Sequence, residues 1–303
     1  MPKLLNEGDW NLLLRRVKRG KCTAFLGAGA CHGVLPLGSD IARLWAKEHN
    51  YPLDDTGDLA KVSQFMAVTG DPGWPKDLIQ ERFERVKPPN FKEDDEPHGV
   101  LADLPLPVYI TTNYDDFMVQ ALTDRQRDSK QELCRWNRYM SEEASVFATN
   151  PGYVPTVANP LVFHLHGASR VPESLVLTED DYLDFIVNVS RDQAVIPTQI
   201  QKALIGTSLL FLGYKIADWD FRVLFRSLIS YMERSTAKAH VSVQLVPLGD
   251  NYSAEQKAMA QEYLDRYFGK LDIRVYWGSC REFAAELRKR WCEFKDKSSE
   301  VTS

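Results

Sequence analysis

The chain has 303 residues and a formal net charge of −5, with 44% hydrophobic and 26% charged residues. This composition is typical of a globular protein and gives no general basic surface for nucleic acid. The N-terminal segment carries charges where a signal peptide needs an apolar core, and no stretch approaches the ~20 apolar residues of a membrane span. We therefore expect a cytoplasmic protein that binds neither membranes nor nucleic acid directly.

The cysteines are few and scattered. They are Cys22, Cys31, Cys134, Cys280 and Cys292. No pair has the C-x-x-C spacing of a metal ligand motif, so the sequence predicts neither a zinc site nor a disulfide framework.

A short apolar run ends in two glycines, Gly27 and Gly29. The run predicts a buried strand, and the glycines predict the turn that leaves it. Glycine permits positive φ angles there, and it lets backbone N–H groups approach a phosphate beside a helix N-terminus. The spacing to Gly33 differs from the dinucleotide-binding fingerprint, so a plain strand-to-helix turn stays open as an alternative.

Strand-like and helix-like segments alternate along the rest of the chain. Strands are predicted at residues 23–26, 107–112, 161–167, 208–213, 241–246 and 271–277. Helices are predicted at residues 9–18, after a cap at Ser39, at 58–68, 77–86 and 115–122, after a capping box at Thr178, and at 197–205, 220–232, 255–268 and 281–294. This alternation predicts an α/β, Rossmann-like fold with a mostly parallel sheet and helices on both faces.

We expect one domain over residues 1–294, followed by a polar, frayed tail at 295–303. Residues from about 39 to 98 are predicted to form a helical insertion, whose acidic end at 93–97 looks solvated. Residues from about 124 to 160 are polar and interrupted by prolines, which predicts a second, mostly irregular insertion.

In parallel α/β sheets, ligands bind at the carboxyl ends of the strands. Four predicted strands are followed by small, polar or chemically able residues. These are Gly27, Ala28 and Gly29; Asn113 and Asp115; His166 and Gly167; and Gly213, Tyr214, Asp218 and Asp220. We therefore expect the four strand ends to surround one cleft.

Three of these stretches resemble the signature motifs of the sirtuin superfamily, in the family's order. They read GAGAC at residues 27–31, TTNYD at 111–115 and LHG at 165–167. The stretches FLGY at 211–214 and DWDFR at 218–222 are more similar to the sirtuin-like domains of bacterial anti-phage defence proteins than to histone deacetylases. By motif order, the resemblance covers roughly residues 20–292.

The resemblance implies that NAD is the substrate and lies across the strand ends. Asn113 would hold the nicotinamide ribose and the attacking water, and His166 would accept a proton from that ribose or from water. A histidine suits this role because its unperturbed pKa lies near working pH. The nucleotide would contact a wider set, with its pyrophosphate at the glycine turn and its nicotinamide amide at Asp115. That set is Gly27, Ala28, Gly29, Cys31, Asp115, Gly213 and Tyr214.

Two departures from the family pattern bear on the activity. The deacetylases carry a four-cysteine zinc module after the histidine motif, and no cysteine lies between Cys134 and Cys280 here. The serine that usually follows the glycine turn is Cys31, a weaker hydrogen-bond donor. No metal is expected, since a carboxamide and an imidazole are adequate for cleavage of the N-glycosidic bond.

Two assignments stay open at the level of single residues. Asn113 is also a plausible N-cap for the helix that follows it. His164 alternates with His166 along the strand, so either is a candidate for the functional histidine. His166 is preferred because Gly167 follows it, which leaves His164 as a satisfied interior histidine.

The function that the resemblance implies is an NAD+ glycohydrolase releasing nicotinamide and ADP-ribose, acting in anti-phage defence by NAD depletion. The alternatives are a cyclase forming cyclic ADP-ribose, an NAD-dependent protein deacylase, which the missing zinc module disfavours, and a non-catalytic NAD or ADP-ribose sensor. A homo-oligomer is predicted from the aromatic face of residues 221–231. A HerA-type ATPase is a partner seen with the family.

Overall fold

The computed structural model describes residues 5–141, 143–214, 240–244 and 252–300. The described strands are β1 (Cys22–Leu26), β2 (Val108–Thr111), β3 (Lys130–Leu133), β4 (Leu161–His164), β5 (Ser208–Leu212), β6 (His240–Gln244) and β7 (Ile273–Trp277). They form one sheet in the order β3-β4-β2-β1-β5-β6-β7, and the pairings among them are all parallel. The predicted α/β fold with a parallel sheet is therefore confirmed.

The described helices alternate with these strands. They are α1 (Glu7–Lys18), α2 (Gly38–Glu48), α3 (Leu59–Thr69), α4 (Trp74–Glu84), α5 (Pro97–Ala102), α6 (Phe117–Asp124), α7 (Val146–Thr149), α8 (Glu179–Arg191), α9 (Thr198–Gly206), α10 (Ala254–Gly269) and α11 (Cys280–Glu300). Local signals explain their ends. Asn6 caps α1 in a capping box with Asp9, and Thr178 and Asp181 form the predicted capping box of α8.

Helices cover both faces of the sheet, as predicted. Along β1, Ala24 and Leu26 face a core shared with α1, α5, α6 and α11, whereas Phe25 faces a core shared with α8, α9 and α10. Within the predicted helical insertion, α2, α3 and α4 pack around a smaller core that contains Trp45 and Met66. The apolar strands are thus buried from both sides, as is usual in a parallel sheet whose helical connections cover both faces.

The sheet has its topological switch point beside β1. The chain places β2, β4 and β3 on one side of β1 and then crosses to place β5, β6 and β7 on the other. Strands β1 and β5 are neighbours, paired from Cys22 with Ser208 to Leu26 with Leu212. Connections leave in opposite directions at such a point and open a crevice at the carboxyl ends of the two strands.

Residues 124–160 were expected to be mostly irregular, and the structure adds a strand that was not predicted. Residues Lys130–Leu133 form the edge strand β3, which pairs in parallel with β4. The strand escapes prediction because its sequence, KQEL, has no β-branched residue, and its first two side chains are only half buried. Short α7 also lies within this range.

Three smaller expectations also differ from the structure. Helix α11 runs to Glu300, so the tail expected to be frayed from residue 295 is helical as far as that residue. Within this part of the helix, Lys295 Nζ lies over the ring of Trp291, 5.9 Å from its centroid. Helix α2 is capped at Leu37 rather than Ser39, because the Asp40 carboxylate accepts from the Leu37 backbone N–H. Glu96 is buried, although residues 93–97 were expected to be solvated.

The predicted helix at 220–232, the aromatic face at 221–231 and the end of the predicted strand at 241–246 lie outside the described residues. Asp218 and Asp220 do so as well. Within the parts of the chain that are described, none of the helices has the length and apolarity to cross a bilayer.

Candidate active site

The glycine turn lies against the end of β5 at the switch point. The N–H of Gly27 donates to the carbonyl of Leu212 at 2.8 Å, and the N–H of Gly29 donates to the carbonyl of Gly213 at 3.0 Å. Gly213 has φ of +81°, and a Cβ added there would lie 2.3 Å from the Ala30 nitrogen. The glycines therefore allow two backbone segments to touch, and two amides that were expected to face a phosphate are instead bonded to β5.

Tyr214 closes this junction. Its hydroxyl donates to the carbonyl of Leu26 at 2.7 Å and accepts from the Thr112 hydroxyl at 2.8 Å. Its ring packs edge-on against Phe25 with 5.4 Å between centroids, and a Cβ on Gly27 would lie 3.1 Å from it. Tyr214 thus ties the ends of β1, β2 and β5 together from one side chain.

Asn113 follows β2 and reaches across to the glycine turn. Its Nδ2 donates to the carbonyl of Gly27 at 3.1 Å and to the Cys31 sulfur at 3.2 Å, and its backbone N–H donates to the hydroxyl of Thr111 at 2.9 Å. The side chain is only 8% exposed. Asn113 does not cap the following helix, whose N-cap is Asp116, so that alternative is wrong.

Asp115 and Cys31 are bonded to each other behind Asn113. The Cys31 thiol donates to Asp115 Oδ2 at 3.2 Å, and Asp115 Oδ1 accepts from the Phe117 N–H at 3.0 Å at the start of α6. Burial raises the pKa of Asp115, and burial together with the Asp115 charge raises the pKa of Cys31 well above its ordinary value. The thiol is therefore protonated at neutral pH and serves as a donor.

Two further residues extend this cluster, and sequence analysis missed both. His98 Nε2 lies 3.8 Å from the Cys31 sulfur, and His98 Nδ1 lies 2.8 Å from Glu96 Oε1. Both residues are at most 2% exposed. Burial opposes ionisation of Glu96, but its bonds to His98 and to the Gly99 N–H outweigh this and lower its pKa. The helix-opening Pro97 was the only local signal, and the acidic run before it pointed to solvent.

His166 lies beyond the end of β4, one strand outward from β2. Its ring is 8% exposed and packs edge-on against Tyr182 and Phe185, at 5.5 and 5.0 Å between centroids. Gly167 follows with φ of +86°. Burial lowers the pKa of His166 to about 3, so the imidazole is neutral at working pH instead of titrating near it, as had been expected.

His164 is fully buried, and neither of its ring nitrogens has a hydrogen-bond partner. The expectation of a satisfied interior histidine is therefore wrong. Burial lowers its pKa to about 3, with a smaller contribution from Arg170. A neutral ring costs least in such surroundings, since its charged form would have to leave water without compensation.

The structure brings most of the expected site residues into one connected group. Gly27, Gly29, Cys31, Asn113, Asp115, Gly213 and Tyr214 are joined by the contacts described above, and Ala28 is exposed beside them. The described contacts do not join His166 directly to Asn113. On its own side of the site, His166 contacts the ring of Tyr182.

A parallel α/β sheet with a glycine turn at its switch point is the doubly wound arrangement, in which ligands bind at the carboxyl ends of the strands. Residues 107–269 match the family model described as a SIR2-like domain. This range is more than half of the chain, so the protein belongs to the SIR2-like domain family.

Individual relatives are distant. The chain is 21% identical over 296 residues to a protein of Acinetobacter baumannii named NAD(+) hydrolase ThsA, and that alignment covers 92% of this chain and 55% of the relative. It is 22% identical to an Enterococcus faecium protein of the same name, over 88% of this chain and 53% of the relative. The chain thus spans about half the length of these curated relatives.

Among solved structures, a chain from work headed "Structural Basis for the Mechanism and Regulation of Sir2 Enzymes" aligns with a TM-score of 0.41 and 11% identity. The alignment covers 96% of this chain and 100% of that one.

Proposed function

We propose that the protein is an NAD+ glycohydrolase, which cleaves NAD+ to nicotinamide and ADP-ribose. The observation that carries the proposal is the fixed carboxamide of Asn113, which is held by Gly27 and Cys31 at the edge where the sheet opens. Membership of the SIR2-like family and two relatives named NAD(+) hydrolase support it.

Cleavage of the N-glycosidic bond turns a cationic nicotinamide ring into a neutral leaving group and builds positive character on the ribose. A carboxamide in a fixed orientation can hold a ribose hydroxyl and an incoming water without reorganising, which is the main benefit of a preorganised site. In our proposal, Asn113 has this role. Its two side-chain bonds restrict rotation of the amide about its own axis.

His166 complements Asn113 from the end of β4. With a pKa lowered to about 3, its imidazole is neutral and accepts a hydrogen bond from a ribose hydroxyl or from water. In this role His166 is a neutral acceptor that orients the ribose hydroxyl or the water.

Asp115 and Cys31 are proposed to hold the nicotinamide end. Cys31 accepts from Asn113 and donates to Asp115, so one thiol couples the ribose-binding amide to the carboxyl group that would accept from the nicotinamide amide. No step of this chemistry runs through a metal. In our proposal, the protein acts in the cytoplasm as a homo-oligomer and depletes NAD in anti-phage defence. The defence role and a HerA-type ATPase partner come from the family resemblance, the cytoplasmic location from the composition of the sequence, and the oligomer from the predicted aromatic face of residues 221–231.

The test is incubation of the full chain with NAD+, with nicotinamide, ADP-ribose and cyclic ADP-ribose resolved by chromatography. Nicotinamide and ADP-ribose in equal amounts are expected. Asn113→Ala serves as the inactive control. Cyclic ADP-ribose as the main product would replace hydrolysis by cyclisation, and turnover only with an acylated peptide would replace it by deacylation. Tight NAD+ binding without any product would identify a sensor.

A further inference from the structure

The buried cluster behind Asn113 has the composition of a soft-metal site. Cys31 Sγ, His98 Nε2 and an Asp115 carboxylate oxygen all lie within 4.8 Å of one another, and all three residues are buried. We propose that Cys31, His98 and Asp115 bind a divalent zinc ion. Zinc is bound in proteins by cysteine sulfur, imidazole nitrogen and carboxylate oxygen, and this cluster offers one of each.

The spacing of the donor atoms fits a tetrahedral ion. With Zn–S of about 2.3 Å and Zn–N or Zn–O of about 2.1 Å, two ligand atoms of a tetrahedron are separated by about 3.6 Å when one is sulfur. The sulfur of Cys31 lies 3.8 Å from His98 Nε2 and 3.2 Å from Asp115 Oδ2. The two distances from the sulfur are therefore within a few tenths of an ångström of the tetrahedral value, and the imidazole nitrogen and the carboxylate oxygen lie within 4.8 Å of each other.

The surroundings of His98 match those of a metal-binding histidine. Its Nδ1 is bonded to the Glu96 carboxylate at 2.8 Å, and the other Glu96 oxygen accepts from the Gly99 N–H. A carboxylate on the far nitrogen fixes the ring and directs Nε2 towards the metal, as in the carboxylate–histidine–zinc arrangement. Glu96 is itself 2% exposed, so this second contact is built into the interior.

Charge balance favours the ion as well. Once zinc displaces the thiol proton, a thiolate, a carboxylate and a neutral imidazole cancel the charge of a divalent cation, which lowers the cost of burying it. The three ligands come from the turn after β1, from α5 and from the loop before α6. Zinc would therefore cross-link segments that lie 67 and 84 residues apart in the sequence.

A consequence for regulation rests on the proposed function. Asp115 and Cys31 would be engaged either by zinc or by the nicotinamide end of NAD+, but not by both. Zinc is therefore expected to inhibit NAD+ cleavage and to be displaced as the nucleotide binds. Such an ion would hold the enzyme in an inactive form.

The experiment measures Zn²⁺ binding to the metal-free full chain by calorimetry, with no nucleotide present. Co²⁺ is then used as a spectroscopic probe, because a thiolate ligand gives a charge-transfer band that an oxygen-only site lacks. We expect about one Zn²⁺ per chain. Cys31→Ser and His98→Gln are expected to lose the ion, and Glu96→Gln is expected to weaken binding by about 10–100-fold. Cys292→Ser removes the exposed thiol and is expected to bind as the unmodified chain does.

Thermal melting of each variant without metal checks that it is folded. Zn²⁺ is expected to raise the melting temperature of the unmodified chain and of Cys292→Ser but not of Cys31→Ser. Absence of stoichiometric binding, or equal binding by Cys31→Ser, would overturn the proposal, as would loss of binding in Cys292→Ser alone. Zinc binding by a chain that does not cleave NAD+ even when it is metal-free would leave the metal site standing and refute only the proposed activity.

Discussion

At the scale of single residues, Asn113 is held in place by hydrogen bonds from both its side chain and its backbone. Its side-chain amide donates to the Gly27 carbonyl and to the Cys31 sulfur, and its backbone N–H donates to the Thr111 hydroxyl. These contacts fix the orientation of the buried amide. Their contribution to stability and the catalytic role proposed for Asn113 can be separated by measurement.

Asn113→Ala removes the donor to the Gly27 carbonyl. We expect a loss of about 1–2 kcal/mol in the free energy of unfolding, since the buried bonds to the Gly27 carbonyl and to the weakly accepting Cys31 sulfur are both broken, and loss of NAD+ cleavage. Asn188→Ala is the matched control. The Asn188 Nδ2 donates to the carbonyl of Trp136 at 2.8 Å, and Asn188 makes none of the contacts described for Asn113. Urea denaturation of both variants should give similar losses of stability, with activity lost in Asn113→Ala alone. Equal activity in the two variants would remove Asn113 from the site.

Much of this residue-level detail lies beyond sequence reasoning. That Gly27, Asn113 and Gly213 meet could be predicted, because strands of a parallel sheet end at the same edge. That Cys31 contacts His98 could not, since His98 stands in a six-residue helix after an acidic run that is typical of solvent. The lowered pKa of His166 could not be predicted either. It follows from burial, and burial depends on the rings that pack against His166, which are Tyr182 and Phe185.

At the scale of elements, the junction of the glycine turn with the end of β5 decides the shape of the site. Both segments were predictable as turns, and the structure adds that glycine is needed there because the two backbones touch. The Gly29 N–H and the Gly213 carbonyl are bonded at 3.0 Å, and a side chain at either position would enter the other backbone. Strand β3 was not predicted, because an edge strand with a polar sequence lacks the apolar, β-branched pattern by which strands are recognised.

Gly213→Ala tests this junction. The added Cβ would lie 2.3 Å from the Ala30 nitrogen and 2.5 Å from the Gly27 carbonyl oxygen, at a φ of +81°. We expect a destabilisation on the order of 3–5 kcal/mol, from strain and overlap together. Gly206→Ala, at the end of α9, has nothing within 4 Å of its added Cβ and is expected to be neutral or slightly stabilising. Chemical denaturation of both variants provides the comparison, and similar midpoints would contradict the close packing described.

At the scale of the whole molecule, two neutral histidines buried at the end of β4 link stability to pH. The pKa of both His164 and His166 is lowered to about 3 by burial. Their pKa in the unfolded chain is about 6.5, so the unfolded state binds more protons than the folded state between these values. Their contribution to stability is therefore complete above pH ~6.5 and is lost as the pH falls towards 3.

His164→Leu isolates one of the two groups. It removes two buried ring nitrogens that have no partner, so we expect a higher free energy of unfolding than in the unmodified chain. Below pH ~6.5, the slope of stability against pH should also fall by up to about 1.4 kcal/mol per pH unit. Urea denaturation from about pH 7 to about pH 5 measures both quantities. An unchanged slope would mean that His164 is protonated in the folded protein.

The central claim is that NAD+ is cleaved at the sheet edge where Asn113 and His166 lie, and nicotinamide release tests it most directly. The measurement compares the unmodified chain with His166→Leu and His164→Leu, the same substitution two residues apart, at one NAD+ concentration and with melting curves for each. We predict that His166→Leu lowers the rate by about 10²–10⁴-fold while staying folded, because it removes the acceptor that orients the ribose hydroxyl or the water. We predict that His164→Leu retains most of the activity. Near-normal cleavage by His166→Leu beside a folded but inactive His164→Leu would contradict the account.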